Sequence, residues 1–112
     1  MNSYKLLLLF HTFIVGPLFI YIGIYKDKIN INIYNLLYYL SIPLILYHIY
    51  RAYTKITYRV PWVNYIHIFL VGPILYYIGK NRKLTPDYYY ELLLLLGFSI
   101  LGHNGYKLLI YK

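Results

Sequence analysis

Cysteine is absent from the 112 residues, so disulfides, thiolate metal sites and cysteine nucleophiles are all excluded. Acid is nearly absent too: Asp27, Asp87 and Glu91 are the only carboxylates. That leaves no paired carboxylates for hydrolysis, and no glycine-rich phosphate loop stands in for them. Ser3, Ser41 and Ser99 lie in no nucleophile-elbow context. Charge of either sign is scarce at 12%, against 61% hydrophobic residues and a mean hydropathy of +0.52. So small a soluble chain has too few charges to cover that much apolar surface, and the bilayer is the expected solvent. The net charge of +8 comes from basic residues scattered between apolar runs, with no continuous stripe for nucleic acid. They suit the flanks of membrane spans and anionic lipid headgroups.

What is present is said twice. His11-Thr12-Phe13-Ile14-Val15-Gly16-Pro17-Leu18-Phe19-Ile20-Tyr21-Ile22-Gly23 returns 56 residues later as His67-Ile68-Phe69-Leu70-Val71-Gly72-Pro73-Ile74-Leu75-Tyr76-Tyr77-Ile78-Gly79. Eight of the 13 positions are identical, and they include His, Gly-Pro and the final Gly. Compositional bias matches Leu with Ile, but it does not align those residues together. An internal duplication is the expected cause.

Lys5 and Lys26 bracket 20 uncharged residues, a helix of about 30 Å and the hydrocarbon thickness of a bilayer. A basic residue before an apolar run also resembles a signal peptide. No small-residue cleavage site follows, however, and a removable leader has no reason to recur within the chain. The pattern predicts helices over about 5–25, 33–53, 61–80 and 87–109. The second contains Pro43, tolerable in a bilayer where neighbours satisfy the freed carbonyl. Arg51, Lys55 and Arg59 form a basic connector, Pro61 suits the first turn of the third helix, and Trp62 suits an interfacial anchor. Thr85-Pro86-Asp87 looks like a cap and first turn for the fourth helix. That helix has only 15 uncharged residues, from Leu92 to Tyr106, and is the expected weakest span.

Ile45-Leu46-Tyr47-His48 also aligns with Ile100-Leu101-Gly102-His103, at an offset of 55, which implies one residue lost from a turn. The expected fold is therefore all-α: one membrane domain over 1–112, a four-helix transmembrane bundle of two helical-hairpin repeats, about 5–54 and 60–110. Two spans bring the chain back to its starting side, so the repeats are parallel and share one topology. Both termini then lie on one side with Lys5, Arg51, Lys55, Arg59, Lys107 and Lys112. The other side holds Lys26, Lys28, Lys80, Arg82 and Lys83, so the basic residues favour cytoplasmic termini by only six to five. Tyrosines near the predicted helix ends, such as Tyr21, Tyr25, Tyr34, Tyr76 and Tyr88, form an aromatic belt.

Two sets of residues are candidates for a role. Gly16 and Gly23, and again Gly72 and Gly79, lie seven residues apart, a small-residue stripe for helix packing in lipid. Gly-Pro in both copies predicts a matched local bend. Ser41 and Ser99 suit interhelical hydrogen bonding. The second set is one histidine per predicted helix: His11, His48, His67 and His103. By topology all four fall in one leaflet within roughly two turns of a common depth. Intramembrane imidazoles invite a metal ion or a bis-His haem. The resemblance to four-helix cytochromes of the b561 type ends at the count, because those stack two haems across the membrane. All three acids lie on the far side, so no carboxylate is placed to orient the imidazoles. The plainer reading is interfacial histidines satisfied by headgroups, water or neighbouring helices.

The pattern His-x-Phe-x-Val-Gly-Pro-x-x-x-Tyr-Ile-Gly, then Thr-Pro, a Leu-rich helix and His-x-x-Tyr-Lys, resembles small membrane proteins of giant (nucleocytoplasmic large) DNA viruses. The half from His67 to Lys107 carries it best. The first half departs from it, lacking Thr-Pro in its turn and reading His48-Ile49-Tyr50-Arg51. The resemblance implies a viral or virus-modified host membrane and implies no activity. An abundance of Tyr, Ile, Leu, Lys and Asn, the output of an A/T-rich genome, is compatible with such a source. The function expected from the sequence is a non-enzymatic structural or interaction protein. Its partners are the lipid bilayer and a second copy or other membrane proteins, with no nucleic acid. The alternatives are a haem- or metal-binding membrane protein and a small channel or carrier, the latter disfavoured by the lack of intramembrane acids.

Overall fold

Short polar turns separate the helices among the described residues. A computed structural model describes residues 3–55 and 62–110, and all its long elements are helices. We name four rods. Helix α1 spans 3–25, with a π-turn at His11–Val15 between Ser3–Phe10 and Gly16–Tyr25. Helix α2 is Ile31–Lys55, and α3 spans 62–81 with its own π-turn at His67–Val71. Helix α4 is Asp87–Ile110. Pro61 and Arg59 lie outside the described residues.

The π-turns have a local cause. Pro17 and Pro73 carry no N–H and cannot close the α-helical ladder at their positions. Ahead of each, the glycine N–H reaches back five residues, Gly16 to the His11 carbonyl and Gly72 to that of His67. One wide turn thus admits the proline without ending the helix. The two rods then end alike. Lys26 (φ 53°) and Arg82 (φ 54°) take a positive φ, their N–H groups donate to Ile22 O and Ile78 O, and short 3-10 turns follow. Asn30 opens α2: its Oδ1 accepts from the Asn32 N–H at 2.8 Å and its carbonyl from Ile33 at 3.0 Å. This cap starts α2 at Ile31, two residues before the expected boundary.

Thr85 acts otherwise than expected. Its hydroxyl donates to Arg82 O at 2.6 Å and lies 3.3 Å from Ile78 O, so it closes the end of α3 and does not cap α4. The expected order of apolarity is corrected as well. Lys5–Lys28, Trp62–Leu84 and Asp87–Ile110 are long and apolar enough to cross a membrane, and α2 is not among them. Asn32, Asn35 and a run of tyrosines (Tyr34, Tyr38, Tyr39, Tyr47, Tyr50, Tyr53) lower its apolarity more than Glu91 and Lys107 lower that of α4.

The rods form two compact units divided between Lys26 and Asp27 and between Thr85 and Pro86. One holds α1 and α4, the other α2 and α3. The hairpin halves expected at about 5–54 and 60–110 are therefore not the packing units. Each half lends one helix to each unit, because the tight faces of α1 and α3 meet the far half. Both pairs run antiparallel. In the first unit Gly16 lies against Leu101 and Gly23 against Tyr90 and Leu94; in the second Gly72 lies against Ile45 and Gly79 against Tyr34 and Tyr38. Every one of these partners has its counterpart exactly 56 residues on, Tyr34 with Tyr90, Tyr38 with Leu94, Ile45 with Leu101. The cores match in the same register: Ile22 and Ile78, Tyr34 and Tyr90, and Leu37 and Leu93 are all fully buried.

Candidate functional site

The candidate histidines begin as consequences of the π-turns. His11 and His67 each stand first in one, half-buried, and each ring turns back along its own helix. Nδ1 of His11 donates to Leu7 O at 2.9 Å, and Nδ1 of His67 to Val63 O at 2.7 Å. Only a protonated Nδ1 donates to a carbonyl, so in the neutral ring the acceptor lone pair belongs to Nε2. Backbone carbonyls thus fix these tautomers, a task for which the sequence had offered no carboxylate.

In the second unit His48 of α2 meets His67 of α3. The rings stack with centroids 4.0 Å apart and planes 14° apart. Asn64, buried one turn before His67, places its amide nitrogen 2.8 Å from His48 Nδ1. The amide donates, so His48 Nδ1 accepts and its proton resides on Nε2. The two stacked rings therefore hold opposite tautomers. Asn64 was not foreseen, although an amide on an otherwise apolar helix face is a visible signal.

The first unit holds His11 and His103, and its second histidine falls one position off the 56-residue match. The residue 56 positions after His48 is Asn104, whose Nδ2 donates to Ile100 O at 3.1 Å. The one-residue deletion inferred from matching His48 with His103 is thus corrected. His103 lies one step further round α4 and is exposed. A shared bis-His haem is a poor fit to His48 and His67, because rings stacked at 4.0 Å leave no room for a porphyrin between them. A metal would need Nε2 lone pairs from both, and the Asn64 bond gives His48 Nε2 a proton instead. Among the described residues no three His, Asp or Glu side chains gather into a metal-binding group.

The glycines make the closest helix contacts. All four are buried, and a Cβ added at Gly23 would stand 2.6 Å from Leu94 Cβ and 2.9 Å from Tyr90 O. One at Gly79 would stand 2.6 Å from the Tyr38 backbone nitrogen. Facing them, Gly97 and Ser41 occupy equivalent buried positions, and the Ser41 hydroxyl donates within its own helix to Tyr38 O at 2.7 Å. The exposed Ser99 likewise donates to Leu95 O at 2.9 Å. Neither bond crosses between helices, contrary to the role expected of both serines. No known protein family, curated protein or solved structure matches the chain.

Proposed function

We propose that this chain is a non-enzymatic integral membrane protein with four spans in two halves of the same topology, acting as a structural or interaction element. The observation that supports it is where the apolar surface lies. Only 11% of the apolar window of α4 is buried, and Phe13, Phe69, Leu46 and Leu95 remain more than half exposed. Exposed apolar surface on this scale needs lipid or a partner to cover it. Glycine-mediated packing supports the same solvent, since close backbone approach drives helix association in lipid. On this reading α2, less apolar than the other three rods, crosses as well, and four spans would leave both termini on one side. The resemblance of the segment from His67 to Lys107 extends the reading to a viral or virus-modified membrane.

Because the chain has no cysteine, an introduced one is a unique label. The protein is expected to stay in the membrane pellet after alkaline carbonate extraction. Cysteines at Asn2 and Lys112 should react with an impermeant maleimide from one side, and those at Lys28 and Lys83 from the other. Extraction into the supernatant refutes membrane integration. Labelling of positions 2 and 112 from opposite sides refutes the four-span topology.

A further inference from the structure

We propose that the α2–α3 end beside Arg82 binds a phosphate-bearing anion, which at a membrane surface is the phosphate of an anionic lipid headgroup. The proposal rests on the membrane reading above. A shallow cavity of about 200 Å³ is lined there by Asn35, Tyr38, Tyr39, Gly79, Lys80 and Arg82. That is too small for a drug-sized molecule and suits a compact polar group. Its lining carries two cations, two phenols, an amide and no carboxylate. Arg82 is held in place by an Nη2–H bond to Asn35 Oδ1 at 2.9 Å, and Lys80 Nζ lies 5.9 Å from the centroid of the Tyr76 ring. Guanidinium, ammonium and phenol groups gathered at one mouth are the donors that phosphate oxygens accept. The neighbouring Lys83 is engaged elsewhere, donating to Asp27 O at 2.6 Å.

The chain supplies its own control. The same place in the other unit, 56 residues away, reads Glu91 for Asn35, Leu94 and Leu95 for Tyr38 and Tyr39, Ile24 for Lys80 and Lys26 for Arg82. There the cation meets carboxylates, Lys26 Nζ lying 3.6 Å from Glu91 and 3.9 Å from Asp87. One cation at a helix C-terminus needs no ligand to explain it, since it complements the helix dipole. Lys26 fills that role in a setting otherwise acidic and aliphatic. At the Arg82 end the equivalent acid is replaced by an amide, an aliphatic side chain by a second cation and two leucines by tyrosines. All four differences favour an anion.

The same comparison supplies variants that preserve the fold. Asn35→Glu and Lys80→Ile each import the residue from the equivalent position, and Arg51→Gln removes one charge some 16 residues along α2 as a control. The full chain in mild detergent is exchanged into micelles doped with phosphatidic acid or with phosphatidylcholine alone, and retained lipid is counted by native mass spectrometry. Wild type and Arg51→Gln should retain phosphatidic acid. Asn35→Glu and Lys80→Ile should each weaken retention about tenfold, the order of one lost charge-assisted contact. Millimolar inorganic phosphate separates the sources: displacement assigns the site to the free anion, and resistance assigns it to the headgroup. Equal retention by wild type and both variants, or an equal loss in Arg51→Gln, overturns the proposal. Carbonate extraction of the same variants keeps the two readings apart. A protein that inserts but fails to discriminate refutes the site alone, and one that does not insert refutes the membrane reading.

Discussion

Gly79→Ala tests whether backbone contact holds the second unit together. A Cβ at residue 79 would lie 2.6 Å from Tyr38 N, 2.8 Å from Tyr34 O and 2.8 Å from Tyr38 Cα. All three atoms are backbone, so no rotamer change relieves the overlap. Ordinary contacts of this kind lie at about 3.5–4.0 Å, so α2 and α3 must separate by roughly 1 Å. A gap of that size forfeits about a quarter to a half of each dispersion contact along the seam. Overpacking typically costs about 1–3 kcal/mol, and the rigid neighbours place this case in the upper half. Alanine is the better helix former by about 1 kcal/mol, but α3 is helical whether or not it is packed when lipid surrounds it, so little of that is recovered. The expected loss is about 2 kcal/mol, roughly thirtyfold in the packing equilibrium. Gly102→Ala and Gly105→Ala are the controls, since a Cβ at either meets nothing within 4 Å. Unfolding by SDS in mixed micelles, followed by near-ultraviolet tyrosine dichroism, reads all three variants. Gly79→Ala unfolding with wild type, or Gly102→Ala falling as far as Gly79→Ala, refutes the reasoning.

Two further predictions follow from the turns and from the exchange of partners. Lys26→Gly should raise stability by about 1 kcal/mol in the same titration: φ 53° with ψ −123° costs a non-glycine residue about 1–3 kcal/mol, and the exposed ion pairs lost are worth at most about 1 kcal/mol. A decrease would show that the lysine contacts outweigh the backbone strain. Halves 1–58 and 59–112 should each accumulate poorly alone and co-purify when expressed together, because each contributes one helix to each unit; a half that is stable and monomeric by itself would refute that dependence.

The features legible in the sequence are those set by local chemistry. Lys26-Asp27-Lys28 and Lys80-Asn81-Arg82-Lys83 mark the ends of helices because charge interrupts apolar runs there. The glycine spacing marks faces of close approach because only glycine removes the side chain. Pairing was not legible. A helix face shows what kind of surface it needs, but α2 and α4 offer similar Leu- and Tyr-rich faces, and nothing local directs α1 to the farther one. The shared Gly-Pro announced a disturbance but not its form, since a kink and a π-turn relieve a missing N–H equally well. The histidine register misled for another reason. Imidazole stands out against an apolar background, so His48 drew His103 into alignment, whereas packing matches Leu37 with Leu93 and Ile45 with Leu101. Volume at the interface sets the register, and polar landmarks do not. Asn64 was not legible as the partner of His48, because a single amide in a helix usually satisfies itself locally.

The packing of each half's helices against the other half also bears on where the two halves differ. The tight faces of α1 and α3 are each covered by a helix of the other half, so corresponding positions meet different neighbours in the two units. Differences at aligned positions fall on all four helices: Asn35 against Glu91, Tyr38 against Leu94 and His48 against Asn104 on α2 and α4, and Leu8 against Asn64, Phe19 against Leu75 and Ile24 against Lys80 on α1 and α3. Helices α1 and α3 keep His, Gly-Pro and Gly, the residues that set the wide turn and the close approach any partner must meet. Both helices of each half thus vary around a wide turn and a close approach that stay the same. The His48–Asn64–His67 stack and the cationic end at Arg82 both lie where α2 meets α3, and each draws on residues of both helices, Asn64 and Lys80 on α3 as well as His48 and Asn35 on α2, whose counterparts in the other unit differ.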